Sequence, residues 1–448
     1  MAQDAGSGST RTLAWRGPAG VRIVSFVVGL IVLVLLVGGL IVYGAGRDQR
    51  GDSSEFVASD APGSASATKG GRVSWATWGR NAAHDRYARG TGIEPPFTKA
   101  AWKKDLGSSI EFSAVVDGDT IYQPVDDGAV VALDRATGEQ KWRTRTAGPL
   151  LSAPLVVGGV VYQGTREGVM QALSVKDGHE LWRFVAKGPI QSSPIHVDGR
   201  IVFGSHDKRL YAVDIETHRA AWTVTAEAEF KGSPSRVGNV IYAGNYDGRM
   251  YAVRVSDGKL LWKTQTRREF SFGGSLYSSP AVAYGRVFVG STDGRVYAIG
   301  ADSGEVRWVH STGDWVYASP ALANRTVFVG SYDGTFYALD ARTGDERWTF
   351  EADDRIAGSA TVIDDVVYFS TLGGTTYGLA IKDGRVRWST DQGRTAGVIT
   401  DGEWVYLGGE SELFGYVAES TKQPTGARRA EAADDSTRSK PSVAPRAK

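Results

Sequence analysis

Eight tryptophans set the terms for any fold this chain can adopt: Trp102, Trp142, Trp182, Trp222, Trp262, Trp308, Trp348 and Trp388. Six of the seven intervals between them are 40 residues and one is 46. A fixed period of this size belongs to repeat architectures, in which each unit is one supersecondary element that buries its apolar face only against its neighbours. Other positions move with the ladder. Ten residues before each Trp from Trp142 onward is a small residue: Ala132, Ala172, Ala212, Ala252, Ala298, Ala338 or Gly378. Four residues before most of them is Gly138, Gly178, Gly258, Gly304, Gly344 or Gly384. About twelve residues after comes a Ser/Pro patch, as in Ser152–Pro154, Ser192–Pro194, Ser233–Pro234, Ser278–Pro280 and Ser319–Pro320. Glycine, at 57 of 448 residues, is nearly twice its usual share of roughly 7 %, and without excess proline this points to tight turns.

Within one period lie four short runs of alternating apolar and polar residues rich in β-branched and aromatic side chains. In the unit ending at Trp348 they cover 319–323, 326–331, 335–340 and 346–350. Such runs predict strands. Asp333-Gly334 divides the second from the third, as Asp247-Gly248 and Asp293-Gly294 do elsewhere, and Asp-Gly suits a hairpin turn that requires positive φ. Four antiparallel strands repeated radially predict an all-β, eight-bladed β-propeller with four-stranded antiparallel blades. Seven units are complete. An eighth set, 397–418, lacks its own outermost strand, and the strand around Trp102 has no blade of its own. The two are expected to pair, closing the ring and removing an exposed sheet edge. The ladder Trp residues are read as structural, wedged between adjacent blades.

The propeller is assigned to residues 71–420 and is expected to follow one transmembrane helix. Residues 23–43 carry no charge and are rich in Val, Leu and Ile; at 1.5 Å per residue they reach about 30 Å, enough to span a bilayer core. The run is longer than the apolar region of a cleaved signal peptide, so a signal anchor is expected. Three arginines precede it (Arg11, Arg16, Arg22) and two follow (Arg47, Arg50). This bias places residues 1–22 in the cytoplasm and the propeller on the extracytoplasmic side of the cytoplasmic membrane. Residues 44–70 read as a flexible linker. Residues 421–448 hold seven Lys/Arg and three Pro with almost no large apolar side chain, and read as a disordered basic tail. A net charge of +1 argues against a nucleic-acid partner. The absence of cysteine removes disulfides, thiolate metal sites, Cys nucleophiles and Cys-linked lipid anchors.

The string from Val327 through Gly330-Ser331-Tyr332-Asp333-Gly334, then Tyr337-Ala338-Leu339-Asp340, Thr343-Gly344 and Trp348 resembles the pyrroloquinoline quinone (PQQ) repeat of β-propellers, and the likeness covers 75–420. The resemblance implies one of two branches. One comprises PQQ-dependent dehydrogenases, which use the quinone with a metal, usually calcium. The other comprises BamB-like propellers, which bind partner proteins as scaffolds. The segment Trp78-Gly79-Arg80-Asn81 through Arg86-Tyr87 resembles the N-terminal lead-in of the dehydrogenases. Against that branch, the chain has no Cys for a vicinal disulfide, and the 40-residue spacing leaves little room for pocket-building insertions. The BamB-like branch is therefore preferred.

Strand directions place the loops joining blades and the turns between second and third strands on one face, where functional residues are expected. The six extra residues of the long interval fall in the loop after Trp262, which reads Arg267-Arg268-Glu269-Phe270-Ser271-Phe272-Gly273-Gly274-Ser275-Leu276-Tyr277. Aromatic and Arg residues concentrate at binding hot spots. The candidate binding residues are accordingly Arg267, Arg268, Phe270, Phe272, Tyr277, Trp315, Tyr317, Arg355 and Arg394. No catalytic residue, metal site or cofactor is assigned. The expectation is a membrane-anchored, non-catalytic scaffold for an envelope protein, peptide or other ligand. The alternatives are a PQQ- and calcium-dependent alcohol or sugar dehydrogenase, and an extracellular saccharide sensor.

Overall fold

The computed structural model describes residues 55–57, 73–266 and 274–417. The expected transmembrane segment 23–43 and the basic tail 421–448 lie outside them. Among the described residues no helix is long and apolar enough to cross a membrane.

Eight sheets make eight blades. Blades 1 to 7 cover residues 115–145, 155–185, 195–225, 235–265, 281–311, 321–351 and 361–390. In blade 6 the strands run outward from the axis as Ala321–Ala323, Thr326–Gly330, Thr335–Asp340 and Glu346–Glu351. Blade 8 takes its inner three strands from Ile399–Thr400, Trp404–Gly408 and Glu412–Val417. Its outermost strand is Trp102–Asp105, antiparallel to Glu412–Val417 with Trp102 opposite Gly415. The two ends of the propeller thus share one blade, as the unpaired Trp102 strand predicts.

The ladder Trp stands on the outermost strand opposite the small residue of the third, as in the pair Ala338–Trp348. The register slips by one residue immediately beyond this pair, in blade 6 and in the six other complete blades. Such a bulge adds twist, in keeping with a blade that turns away from its neighbour. The indole N–H then donates to the next blade: Trp142 to the Val175 carbonyl, Trp222 to Val255 and Trp308 to Ala341, at 2.9–3.1 Å. The turn glycine of the next blade lies against the indole face. A Cβ on Gly138, whose φ is +70°, would stand 2.6 Å from Trp102 Cε3. In blade 3 His218 takes the glycine's place and stacks on Trp182 with ring centroids 4.5 Å apart.

One feature is absent from the simple repeat. Residues 73–88 enter the axial channel and visit every blade in turn. Val73 N–H donates to Asp401 of blade 8. The carbonyls of Trp75, Ala76, Ala82, Ala83, Asp85 and Arg86 accept from Val116, Val156, Arg236, Val282, Leu322 and Val362, on the innermost strands of blades 1, 2, 4, 5, 6 and 7. Blade 3 is met by the Thr77 hydroxyl, which donates to the Pro194 carbonyl. Tyr87–Ala88 runs parallel to Thr361–Ile363, so blade 7 has five strands rather than four. This plug closes the channel from one end.

The stretch expected to be a flexible linker is seated at three positions. Glu55–Val57 lies on blade 5, on the face opposite the loops that join blades: Val57 N–H donates to the Tyr284 carbonyl at 3.0 Å. Phe56 stacks on Tyr284 at 5.8 Å.

Candidate functional site

The plug leaves a funnel of about 390 Å³ on the axis, opening on the face that carries the interblade loops. Its construction follows the repeat. Each innermost strand is preceded by a short loop that crosses the channel edge, and the Ser/Pro patch lies there. The hydroxyl of one blade's serine accepts the N–H of the preceding blade's residue. Ala153 donates to Ser193, Ser193 to Ser233, Ser233 to Ser279, Ser279 to Ser319 and Ser319 to Ser359, at 2.9–3.0 Å. Gly397 donates to Ser113 at 2.8 Å. The near-circle breaks only where Ala153 and Gly397 offer no hydroxyl. Five of these serines, 193, 233, 279, 319 and 359, line the funnel. Since each oxygen already accepts, its own O–H remains to be donated.

Two residues before seven of the eight ring positions, all but that of Ala153, the chain faces the funnel. Here the uniform repeat becomes diverse: Glu111, Gln191, Lys231, Tyr277, Tyr317, Ala357 and Thr395 all line it. Turns between second and third strands add Tyr246, Tyr332 and Leu372. The wall formed by blades 4 to 6 is aromatic. Tyr277 meets Tyr317 edge to face at 5.1 Å, and Tyr317 lies 5.0 Å from Tyr332. Trp315 packs on Tyr317 at 5.6 Å, yet remains 48 % exposed at the rim. Lys231 Nζ stands 3.7 Å above the Tyr246 ring. At the blade 3 end of this wall Gln191 donates to the Tyr277 hydroxyl and bonds His206 at 3.0 Å. The floor is Trp78, whose indole N–H is buried without a protein partner. Beneath it the Arg86 guanidinium lies 4.5 Å from the ring centroid. Arg86 Nε is bonded to the Ala360 carbonyl, and Nη1 has no protein partner.

The electrostatics are those of a nearly neutral cup. Burial pushes the Tyr277 hydroxyl up to about 12, with Glu111 adding to the shift. Burial likewise raises Tyr317 and Tyr332, so all three are hydrogen-bond donors at neutral pH. Burial, reinforced by Lys231, lowers His206, which is therefore neutral. Burial raises Glu111, with Asp126 contributing. Among the described residues, Lys231 and Glu111 are the only cation and carboxylate that line it.

The structure brings Tyr277, Trp315 and Tyr317 to one wall, with the Arg355 guanidinium 5.8 Å from the Tyr332 ring at its edge. It sets Arg394 apart: that side chain borders a separate depression between blades 7 and 8, 3.6 Å from Glu410. Arg267, Arg268, Phe270 and Phe272 lie outside the described residues. Sequence reasoning passed over Trp78, Glu111, Gln191, Tyr246 and Tyr332 as lining residues. The signal that finds two of them, Glu111 and Gln191, is the diversity of one register in an otherwise uniform repeat.

The fit to a calcium–quinone centre can be judged from the donor set. Calcium takes six to eight oxygens, several from carboxylates, and the described residues lining the funnel offer one carboxylate, Glu111. Among the described residues no three His, Asp or Glu side chains converge. A quinone bearing several carboxylates would find one lining ammonium, Lys231. The described funnel residues therefore do not fit this group.

Fold and funnel define the class: a closed eight-bladed propeller with a blind axial cup. The family model described as outer membrane protein assembly factor BamB matches residues 64–192, 158–311 and 269–405, and the chain belongs to this PQQ-repeat, BamB-like family. Solved structures share the fold. BamB from Moraxella catarrhalis is 15 % identical, covering 71 % of this chain and 99 % of its own, with a TM-score of 0.63. Quinohemoprotein alcohol dehydrogenase ADHIIG from Pseudomonas putida HK5 is 14 % identical, covering 78 % and 81 %, with a TM-score of 0.67. A europium-containing methanol dehydrogenase is 14 % identical, covering 77 % and 98 %, also with a TM-score of 0.67. The comparison with curated proteins finds no match.

Proposed function

We propose that this protein is a non-catalytic binding scaffold, anchored by residues 23–43 in the cytoplasmic membrane with its propeller on the extracytoplasmic side. Its funnel mouth captures a protein or peptide of the cell envelope. The observation that carries the reading is the aromatic wall of Tyr277, Trp315, Tyr317 and Tyr332, which ends in a half-exposed Trp. Rigid aromatics that cluster around a depression and project into solvent are the usual anchors of a binding hot spot. The membership of a BamB-like family supports a scaffold over an enzyme, and so does a cup with one carboxylate.

A photo-crosslinking side chain in place of Trp315, in the full chain in its membrane, tests the proposal. The expected result is a defined envelope protein crosslinked at the rim, lost when Tyr317 and Tyr332 are replaced by Ala. Saturable quenching of Trp fluorescence by PQQ with calcium, accompanied by dye reduction with alcohols or sugars, would overturn it. A second reading has one observation in its favour. Ring hydroxyls from five serines around an indole floor are the chemistry that holds a sugar ring. Protection of Trp78 fluorescence by cell-wall saccharides, with no protein crosslink, would favour that sensor reading instead.

A further inference from the structure

The turn between the third and outermost strands is capped by a carboxylate in six of the seven blades that have it. Blades 1, 3 and 6 place the Asp at the end of the third strand. Asp134, Asp214 and Asp340 each accept from two backbone N–H groups of the turn. A Thr three residues on, Thr137 or Thr217, donates its hydroxyl to the same oxygen. A cation seven residues on completes the cap: Arg347 Nη2 lies 2.7 Å from Asp340, and Lys141 Nζ 3.5 Å from Asp134. Blades 2, 4 and 7 use the other position, where Asp177, Asp257 and Asp383 accept from the backbone two residues later. Blade 5 has a carboxylate at neither place: it carries Gly300 and Ser303.

The missing group arrives from elsewhere in the chain. Glu55 Oε2 accepts from the Ser303 hydroxyl at 3.0 Å, where Thr217 donates to Asp214 in blade 3. It also accepts from Arg307 at 2.8 and 3.2 Å, Arg307 standing where Arg347 stands in blade 6. A Cβ on Gly300 would lie within contact-forbidding distance of that same oxygen, and a Cβ on Gly285 would meet the Glu55 carbonyl. Phe56 is held beside the capped turn, stacked on Tyr284 with the Arg286 guanidinium 5.3 Å from its ring.

We propose that blade 5 carries a built receptor for the segment Glu55–Val57, in which Glu55 caps the blade from outside and clamps the linker to the face opposite the funnel mouth. The occupant is this chain's own linker, and the notch is made for it by the one blade that lacks its own cap.

Hydrogen exchange at the Val57 amide in the full chain reads the docking directly. Gly300→Asp supplies an internal carboxylate and fills the space of Glu55. It is expected to speed Val57 exchange at least tenfold while residues 281–299 keep their protection. Glu55→Ala should lower the thermal midpoint of the wild-type chain and have no effect on the Gly300→Asp background. Val57 protection unchanged by Gly300→Asp, or an equal loss from Glu55→Ala in both backgrounds, would overturn the proposal. Should Gly300→Asp unfold the blade, Ser303→Ala removes only one hydroxyl and must speed Val57 exchange at least threefold.

Discussion

His84 lies wholly buried in the plug, and burial, reinforced by the neighbouring Arg86 guanidinium, lowers its pKa to about 3. The ring is therefore neutral in the folded chain down to that value. In the unfolded chain it takes a proton near pH 6.5. Between those two values the unfolded state binds more protons, so stability is lost as pH falls through this window, by an amount on the order of a few kcal/mol. His84→Phe is expected to flatten that loss. Urea midpoints at pH 7 and pH 4.5, compared between variant and wild type, check it; equal slopes would show that His84 is not the group responsible. At the rim the expectation is opposite in kind. Trp315→Ala removes a half-exposed side chain, and surface changes of this sort usually shift stability by less than about 0.5 kcal/mol. The thermal midpoint should hold while partner capture falls at least tenfold. A collapse in stability would place Trp315 in the core and remove it from the interface.

Among the elements, ring closure carries the sharpest expectation. Arg135 of blade 1 is buried and bonds Asp401 of blade 8 at 2.7 Å, with Glu403 at 2.8 Å and Asp119 at 3.1 Å. Tyr406 also donates to Asp401, at 2.9 Å. Removing one member of a buried pair leaves an uncompensated charge and costs about 3–5 kcal/mol. Arg135→Ala should therefore lower stability by that amount in denaturant titrations, with faster amide exchange in the strand Glu412–Val417. Trp102→Ala strikes the same seam by removing a buried indole, at a cost of about 3–5 kcal/mol. Closure was legible in the sequence because Trp102 keeps the ladder spacing without a blade of its own. The plug was not, because its bonds are made by backbone carbonyls of Trp75, Ala76, Ala82, Ala83, Asp85 and Arg86, which leave no side-chain signature. The docked linker left a trace that only comparison between blades exposes, the lone turn without a carboxylate at Gly300 and Ser303.

For the molecule as a whole, architecture was far more legible than site. Most blades repeat the same Trp, Ala and Gly packing, so the periodic residues report the fold many times over. The funnel is written where the repeat stops repeating, at Glu111, Gln191, Lys231, Tyr277, Tyr317, Ala357 and Thr395. A single sequence shows that variation without showing that those side chains converge. Tyr277, Trp315 and Tyr317 were reachable as aromatics on loops. Trp78 was not, since it rises from a segment inserted from the far face. Arg394 shares the loop chemistry of the others but faces a different depression.

The plug also works as a gauge of number. Each blade claims its own place along residues 73–88, seven through a backbone bond and blade 3 through Thr77. A chain shortened by one period would present seven edges to eight claims. Excising residues 321–360 would strand the Asp85 carbonyl, which Leu322 now satisfies. Such a chain should aggregate or borrow a blade from a second copy rather than close as a smaller ring, which size-exclusion chromatography would reveal as a shift to larger species relative to the full chain. Blade count in this protein is thus measured against an internal template as well as by the geometry of its wedges, and gain or loss of a repeat would require the template to be rewritten at the same time.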